Sequence, residues 1–106
     1  MSHVIEELFE VIKARKNAAA DDSYVASLYA KGTGKISQKV GEEAVETIIE
    51  AMKGDKQALK AESADLLFHL MVLWADQDIE PENIFEILQG RMGLSGLEEK
   101  KRREDP

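Results

Sequence analysis

The chain has 106 residues, of which 43% are hydrophobic, which suffices for one domain spanning residues 1–106 with a single core. Its net charge of −7 disfavours nucleic acid and anionic lipid as partners, and the absence of cysteine excludes thiolate metal sites and cysteine nucleophiles. No apolar run reaches 18 residues and no signal pattern opens the chain, so we expect a cytoplasmic protein that does not contact membranes.

The first two predicted elements are an amphipathic helix and a short capped helix. Apolar residues recur at helical spacing from Val4 to about Ala18. Ser23, which follows two aspartates, is a capping residue for a short helix that begins at Tyr24. The glycine-containing segment 31–35 then breaks the helix. It is either a flexible connector or, through the following helix start and Lys35, a place where an anion binds.

The next two predicted helices form a hairpin. One runs from about Ile36 to Lys53 and ends at Gly54, after which Asp55 caps a helix that continues to about Asp76. A last helix begins near Pro81 and reaches about Met92, where Gly93 ends it. The segment from about residue 95 to residue 106 is a polar tail. No strand alternation occurs, so the sequence predicts an all-α fold, a short bundle of four to five helices around the central hairpin.

The hairpin carries two groups of acidic residues with helical spacing. They are Glu42-Glu43-x-x-Glu46 on its first helix and Glu62-x-x-Asp65 on its second. Residues three or four apart share a helix face, so two antiparallel helices can direct all five carboxylates into one space. Like charges at such distances repel strongly, and oxygen-only ligands suit Mg²⁺, Mn²⁺ or Ca²⁺.

These acids could instead form the solvated face of a surface helix, and the first helix alone does not decide against it. On the second helix, however, the acids lie in a narrow polar stripe on an otherwise apolar segment, where each unpaired buried charge costs several kcal/mol. Nearby lysines are too few to neutralise five acids, so a cation is the simpler partner. The spacing therefore predicts a divalent-cation site.

These motifs together resemble a known family. The acid pattern is similar to that of the MazG-like all-α nucleoside triphosphate pyrophosphohydrolases. Four further segments resemble the phosphoribosyl-ATP pyrophosphatases within that superfamily: Ser23-Tyr24, Lys39-x-x-x-Glu43, residues 64–70 and residues 95–100. The resemblance implies Mg²⁺-dependent hydrolysis of phosphoribosyl-ATP to phosphoribosyl-AMP and pyrophosphate, the second step of histidine biosynthesis. Mn²⁺ is a possible substitute, and a homodimer or larger homo-oligomer is also implied.

Carried over residue by residue, the resemblance assigns metal ligation to four acids of the hairpin: Glu43, Glu46, Glu62 and Asp65. Glu42 is then the candidate that orients or deprotonates the attacking water, although the roles of Glu42 and Glu43 could be exchanged.

Three further residues are candidates for binding the substrate. Lys39 either contacts its phosphates or pairs with a carboxylate, and Lys35 and Tyr24 are the other two. His69 either orients Asp65 or is a satisfied core histidine. The basic residues Arg15 and Arg91 and the run 100–103 either bind the additional phosphate or are solvated.

Two other functions have the same acid motif. One is a house-cleaning pyrophosphatase of ordinary or damaged nucleoside triphosphates, and the other is a non-catalytic helical interaction module with a structural cation. Association is expected in each case, because the segment 66–75 is so apolar that three short helices can hardly cover it.

Overall fold

A computed structural model describes residues 2–92 and 103. These residues form helices and turns without a strand, so the predicted all-α class is confirmed. The predicted stop at Gly93 and the polar tail, apart from Arg103, lie outside the described residues. Residues 2–92 contain five α-helices in chain order: α1 (Ser2–Ala14), α2 (Tyr24–Lys31), α3 (Thr33–Lys53), α4 (Lys56–Asp76) and α5 (Pro81–Arg91).

The predicted hairpin consists of α3 and α4, which have 21 residues each. Gly54 ends α3 in the left-handed conformation, with φ of 76°, which costs a glycine little. The Asp55 carboxylate then accepts a hydrogen bond of 3.0 Å from the Ala58 N–H and caps α4. The chain therefore reverses within two residues, and the two helices lie side by side along their length.

Two boundaries differ from the prediction. The first helix ends at Ala14 and is followed by a single 3-10 turn, Arg15–Asn17, instead of continuing to Ala18. At its other end the hairpin is longer than predicted, because α3 begins at Thr33 rather than near Ile36. Gly32 alone makes the break after α2, with φ of 95°, so Lys35 belongs to the first turn of α3 and not to a connector.

The core lies where the first half of α3 and the second half of α4 meet α1 and α2. Its fully buried side chains are Phe9, Ile12, Leu28, Ile36, Met71 and Val72. The second half of α3 is not covered in this way. Four of its apolar side chains are 47% to 83% exposed, and we call them the apolar stripe: Val45, Ile48, Ile49 and Met52. Within the described residues, no helix is long and apolar enough to cross a bilayer.

Candidate metal centre and substrate site

The hairpin brings together three of the four predicted metal ligands. Carboxylate oxygens of Glu43 on α3 and of Glu62 and Asp65 on α4 lie within 4.8 Å of one another. Glu43 is buried, Glu62 is partly buried and Asp65 is exposed, so the cluster opens from the interior towards solvent. The i, i+3 spacing on α4 and the side-by-side packing of the two helices produce this convergence.

Two oxygens of the cluster have no hydrogen-bond partner among the described residues. They are Oε2 of Glu43 and Oε2 of Glu62, and both are buried. Burial of a carboxylate oxygen without a partner is costly, and such atoms are rare in folded proteins. A cation would supply the missing interaction, and a donor set made only of carboxylate oxygens suits Mg²⁺ or Mn²⁺ rather than zinc. The residues present therefore fit the predicted ion.

The fourth predicted ligand, Glu46, is exposed and lies beside Glu62. Its carboxylate can share a proton with Glu62. This sharing is the largest cause that raises the pKa of Glu62 to about 7, and burial and the proximity of Glu43 contribute further. The raised pKa of Glu62 reflects the neighbouring carboxylates of Glu46 and Glu43. Glu46 belongs electrostatically to the cluster although it is not among the three converging residues.

Glu42 occupies a different place from Glu43. Its side chain is exposed, accepts a hydrogen bond of 2.8 Å from Gln38 Nε2 and lies 3.4 Å from Lys39 Nζ. These contacts lower the pKa of Glu42, and the hydrogen bond from Gln38 is the largest cause. Glu42 is therefore ionised at neutral pH. Glu42 lies at the rim of the cluster, next to the converging residues but not among them.

Lys39 joins the rim to the cluster. Its Nζ lies 3.4 Å from Glu42 and 3.8 Å from Glu43, so it pairs with carboxylates in this structure. The charge of Tyr24 is the largest influence that raises the pKa of Lys39, followed by Glu42 and Glu43. Lys35, one turn earlier on α3, is close enough to Glu42 to contribute to its lowered pKa. Lys39 thus places positive charge beside Glu42 and Glu43, and Lys35 adds to the charge that acts on Glu42.

A contact that the sequence did not reveal links α2 to α4 at this rim. Tyr24 Oη and His69 Nε2 are 2.8 Å apart, and His69 Nδ1 is 2.7 Å from the backbone oxygen of Asp65. His69 is 6% exposed and contacts the backbone of Asp65, not its carboxylate. The two partners are 45 residues apart, and no local pattern signals such a pair. Tyr24 and His69 were each candidates on their own, but the sequence did not indicate that they form a pair.

Arg15, one of the residues considered for the additional phosphate, is exposed in the turn after α1. Residues 100–102 of the basic run lie outside the described part of the chain.

The fold and the site together define an all-α protein in which a helical hairpin presents a cluster of carboxylates suited to a divalent cation. Comparison with known proteins assigns the family. Residues 5–92 match the sequence profile described as phosphoribosyl-ATP pyrophosphohydrolase, and the chain belongs to this family. The family name identifies a hydrolase that acts on a phosphoanhydride.

Similar proteins support this assignment over nearly the whole chain. A phosphoribosyl-ATP pyrophosphatase of Azospirillum brasilense is 56% identical over 100 residues, which cover 94% of this chain and 90% of the relative. The phosphoribosyl-ATP pyrophosphatase of Paramagnetospirillum magneticum is 52% identical over 102 residues, or 96% of this chain and 94% of the relative. The phosphoribosyl-ATP pyrophosphatase of Zymomonas mobilis is 54% identical over 93 residues, which cover 88% of this chain and 87% of the relative. The resemblance seen in the motifs is thereby confirmed.

Proposed function

We propose that this chain hydrolyses phosphoribosyl-ATP to phosphoribosyl-AMP and pyrophosphate, the second step of histidine biosynthesis, with Mg²⁺ held by the acidic hairpin. Family membership supports the reaction and the substrate. The observation that supports a bound metal ion is the pair of buried oxygens on Glu43 and Glu62 that lack a hydrogen-bond partner among the described residues, inside a carboxylate cluster. Mn²⁺ would fit the same oxygen ligands.

Four acids would hold the cation: Glu43, Glu46, Glu62 and Asp65. Glu62 interacts with Glu43 and Glu46, and Asp65 converges with Glu43 and Glu62. When bound, the cation neutralises charge on the phosphates and lowers the pKa of a coordinated water. The protein forms no covalent bond to the substrate. Water adds across the α–β phosphoanhydride, the bond between these phosphates breaks and pyrophosphate leaves.

Glu42 orients the attacking water or accepts its proton. Its lowered pKa keeps it ionised, and its position at the rim lets it reach a water molecule outside the cluster. A residue in this role must lie within hydrogen-bond distance of the water while remaining free of strong ligation. Glu43 is buried in the cluster, so its position suits ligation better than proton transfer.

Lys39, Lys35 and Tyr24 form the surface that receives the substrate. Lys39 already lies against Glu42 and Glu43, and its ammonium group can exchange a carboxylate for a phosphate oxygen when the cation neutralises the cluster. Lys35 adds positive charge one turn away on the same helix. This arrangement concentrates positive charge beside the predicted position of the phosphates.

The enzyme also associates as a homodimer or larger homo-oligomer in the cytoplasm. The apolar stripe of α3 supports association, because four adjacent apolar side chains are 47% to 83% exposed. Leu67 on α4 is also 37% exposed. A contiguous apolar surface of this kind on a small protein is typical of an interface between subunits. The cytoplasm supplies the nucleotide substrate.

The first experiment measures pyrophosphate release by the purified protein with Mg²⁺, on phosphoribosyl-ATP, ATP and dUTP, with EDTA as the control. We expect release from phosphoribosyl-ATP that EDTA abolishes. Glu43→Gln should lose this activity. The matched control Glu50→Gln should keep it, because Glu50 is not part of the cluster and pairs with Lys53, at a distance of 3.6 Å between Oε1 and Nζ. Preferential hydrolysis of ATP or dUTP would refute phosphoribosyl-ATP as the substrate, and full activity in EDTA would refute the dependence on a metal ion.

A further inference from the structure

Tyr24, the first residue of α2, is the one aromatic side chain of the chain that is mostly exposed. All aromatic residues lie within residues 2–92, and the exposed fraction of Tyr24 is 52%. Phe9 is buried in the core, and the remaining aromatic side chains are partly buried. A single exposed apolar side chain is common on protein surfaces, so its meaning depends on how the ring is held and on where it lies.

The protein holds the Tyr24 ring in one orientation. Phe68 stacks on it, with ring centroids 6.4 Å apart and planes inclined by 20°. The His69 ring is nearly perpendicular to it, at 83° and with a centroid distance of 5.8 Å. The Tyr24 hydroxyl lies 2.8 Å from Nε2 of His69, a buried side chain, so the hydrogen-bonding end of the phenol points into the protein. The surface that remains exposed is therefore mainly apolar ring.

The ring lies beside the carboxylate cluster because of the residue spacing on α4. Phe68 and His69, which contact Tyr24, follow Asp65 by three and four residues. They therefore share its helix face, about one turn or 5.4 Å further along. His69 Nδ1 is also 2.7 Å from the backbone oxygen of Asp65. A single imidazole ring thus separates the Tyr24 hydroxyl from the backbone of a residue of the cluster.

The substrate of the proposed reaction has a group that suits such a surface. In phosphoribosyl-ATP one ribose joins the α-phosphate to the adenine, so phosphates held at the cluster keep the base close by. An apolar ring surface cannot replace the charged and hydrogen-bonding partners that phosphates need, but it can stack on a planar base. The Tyr24 ring is already fixed by its neighbours, so little conformational freedom is lost when a base stacks on it.

We propose that the exposed ring of Tyr24 is the stacking surface for the purine base of the substrate, and that Phe68 and His69 hold the ring in place for this contact. The inference deepens the proposed function and rests on it, because it requires a purine nucleotide whose phosphates lie at the carboxylate cluster. Tyr24 contacts the base and not the phosphoanhydride. It therefore contributes to affinity and to the preference for the base, and not to the bond cleavage itself.

The test compares two ligands that differ by the presence of the nucleoside. α,β-Methylene-ATP carries adenosine on a triphosphate whose α–β bridge water cannot cleave, and inorganic triphosphate has no base. Titration calorimetry with Mg²⁺ gives the Kd of each, and KM and kcat for phosphoribosyl-ATP and the Tm are recorded for each variant. In Tyr24→Leu, the Kd for α,β-methylene-ATP and the KM should rise about 5- to 50-fold, the effect of losing one base–aromatic stack. The Kd for inorganic triphosphate and the kcat should change less than about 2-fold.

Three further variants separate the ring from the hydroxyl and from general packing. Tyr24→Phe keeps the ring, and its Kd for α,β-methylene-ATP should stay within about 3-fold of wild type. Tyr24→Trp also keeps a stacking surface, and α,β-methylene-ATP should quench its added fluorescence relative to wild type, whereas inorganic triphosphate should not. Phe85→Leu is the matched control, because it makes the same change on α5, which packs against α1 and supplies no residue to the cluster. Its Kd values and KM should equal those of wild type.

Several results would overturn the stacking role. They are an unchanged Kd for α,β-methylene-ATP in Tyr24→Leu, an equal loss of affinity for both ligands, or a Tyr24→Phe variant as weak as Tyr24→Leu, which would assign the effect to the hydroxyl. A smaller mass of Tyr24→Leu in light scattering, with unchanged Kd values, would assign the ring to a subunit interface instead.

The wild-type enzyme distinguishes failure of this inference from failure of the proposed function. If it hydrolyses phosphoribosyl-ATP while Tyr24→Leu binds as wild type, only the stacking role is wrong. If it hydrolyses dUTP but neither purine nucleotide, both proposals are wrong. If Tyr24→Leu does not fold, the fluorescence of Tyr24→Trp decides, because an unquenched signal on binding of α,β-methylene-ATP would overturn the contact.

Discussion

Binding of Mg²⁺ to the metal-free enzyme is expected to release a proton from Glu62. Proton sharing with Glu46, burial and the neighbouring Glu43 raise the pKa of Glu62 from an ordinary 4.5 to about 7. A carboxylate that ligates a cation must be ionised, so metal binding displaces the proton. Before binding, about nine in ten molecules carry this proton at pH 6, about half at pH 7 and about one in ten at pH 8.

The same pKa shift sets how the stability of the metal-free enzyme changes with pH. The folded chain holds the Glu62 proton more tightly than the unfolded chain does. This contribution to the free energy of unfolding is fully present below pH 4.5 and is lost as the pH rises to about 7 and above. Metal-free protein should therefore lose stability across this window, and Mg²⁺ should stabilise it most at the alkaline end.

Titration calorimetry in buffers with different enthalpies of ionisation counts the protons released per Mg²⁺. We expect about 0.9 proton at pH 6, about 0.5 at pH 7 and about 0.1 at pH 8 from this group. In Glu46→Gln the release at pH 7 should fall, because the largest cause of the raised pKa is removed. Glu50→Gln, one turn further along α3, should behave as wild type. A release that is near zero at pH 6, or equal at all three pH values, would refute the shared-proton cluster.

Four further changes test the fold, the association and the site. Asp55→Ala removes the cap of α4 and should lower the free energy of unfolding by about 1 kcal/mol, with Tm falling by about 4–8 °C and KM unchanged. Met71→Ala creates a cavity in the core and should cost about 2–5 kcal/mol in urea unfolding; a smaller loss would show that the core collapses around the site. Ile48→Lys places a charge in the apolar stripe and should give a monomer by light scattering, whereas an unchanged mass would exclude this surface as the interface. Glu62→Gln should raise the Tm of metal-free protein at pH 8 and remove the rise in Tm that Mg²⁺ produces; a Tm that still responds to Mg²⁺ as in wild type would contradict its role as a ligand.

The hairpin could be predicted from the sequence because its signals are local. A glycine followed at once by a capping aspartate encodes the reversal within two residues, and Gly54 and Asp55 act in the structure as the pattern indicates. The start of α3 could not be predicted in the same way. Thr33 Oγ1 donates to the Asp76 carboxylate at 2.6 Å, a contact across 43 residues that supports the first turn despite two nearby glycines.

The site shows the same division between local and distant contacts. Convergence of Glu43, Glu62 and Asp65 follows from helical spacing once the hairpin is known, and so does pairing of Lys39 with Glu43 four residues later. The link between Tyr24 and His69 depends on how α2 crosses the hairpin, which helix periodicity does not determine. The exposure of the apolar stripe was likewise hidden, because periodicity identifies an apolar face but not what covers it.

The fold alone neutralises only part of the negative charge of the acidic cluster. Within residues 2–92, Lys39 reaches Glu42 and Glu43, but no ion pair reaches Glu62 or Asp65. A lysine opposite Glu62 would neutralise the cluster and stabilise the hairpin, but it would also occupy the place of a cation. In the proposed function, this unneutralised charge is what attracts the cation. The caps at Ser23 and Asp55 and the core between α1 and α4 offset its effect on folding. In the proposed function, Mg²⁺ would supply the stability that the metal-free enzyme lacks.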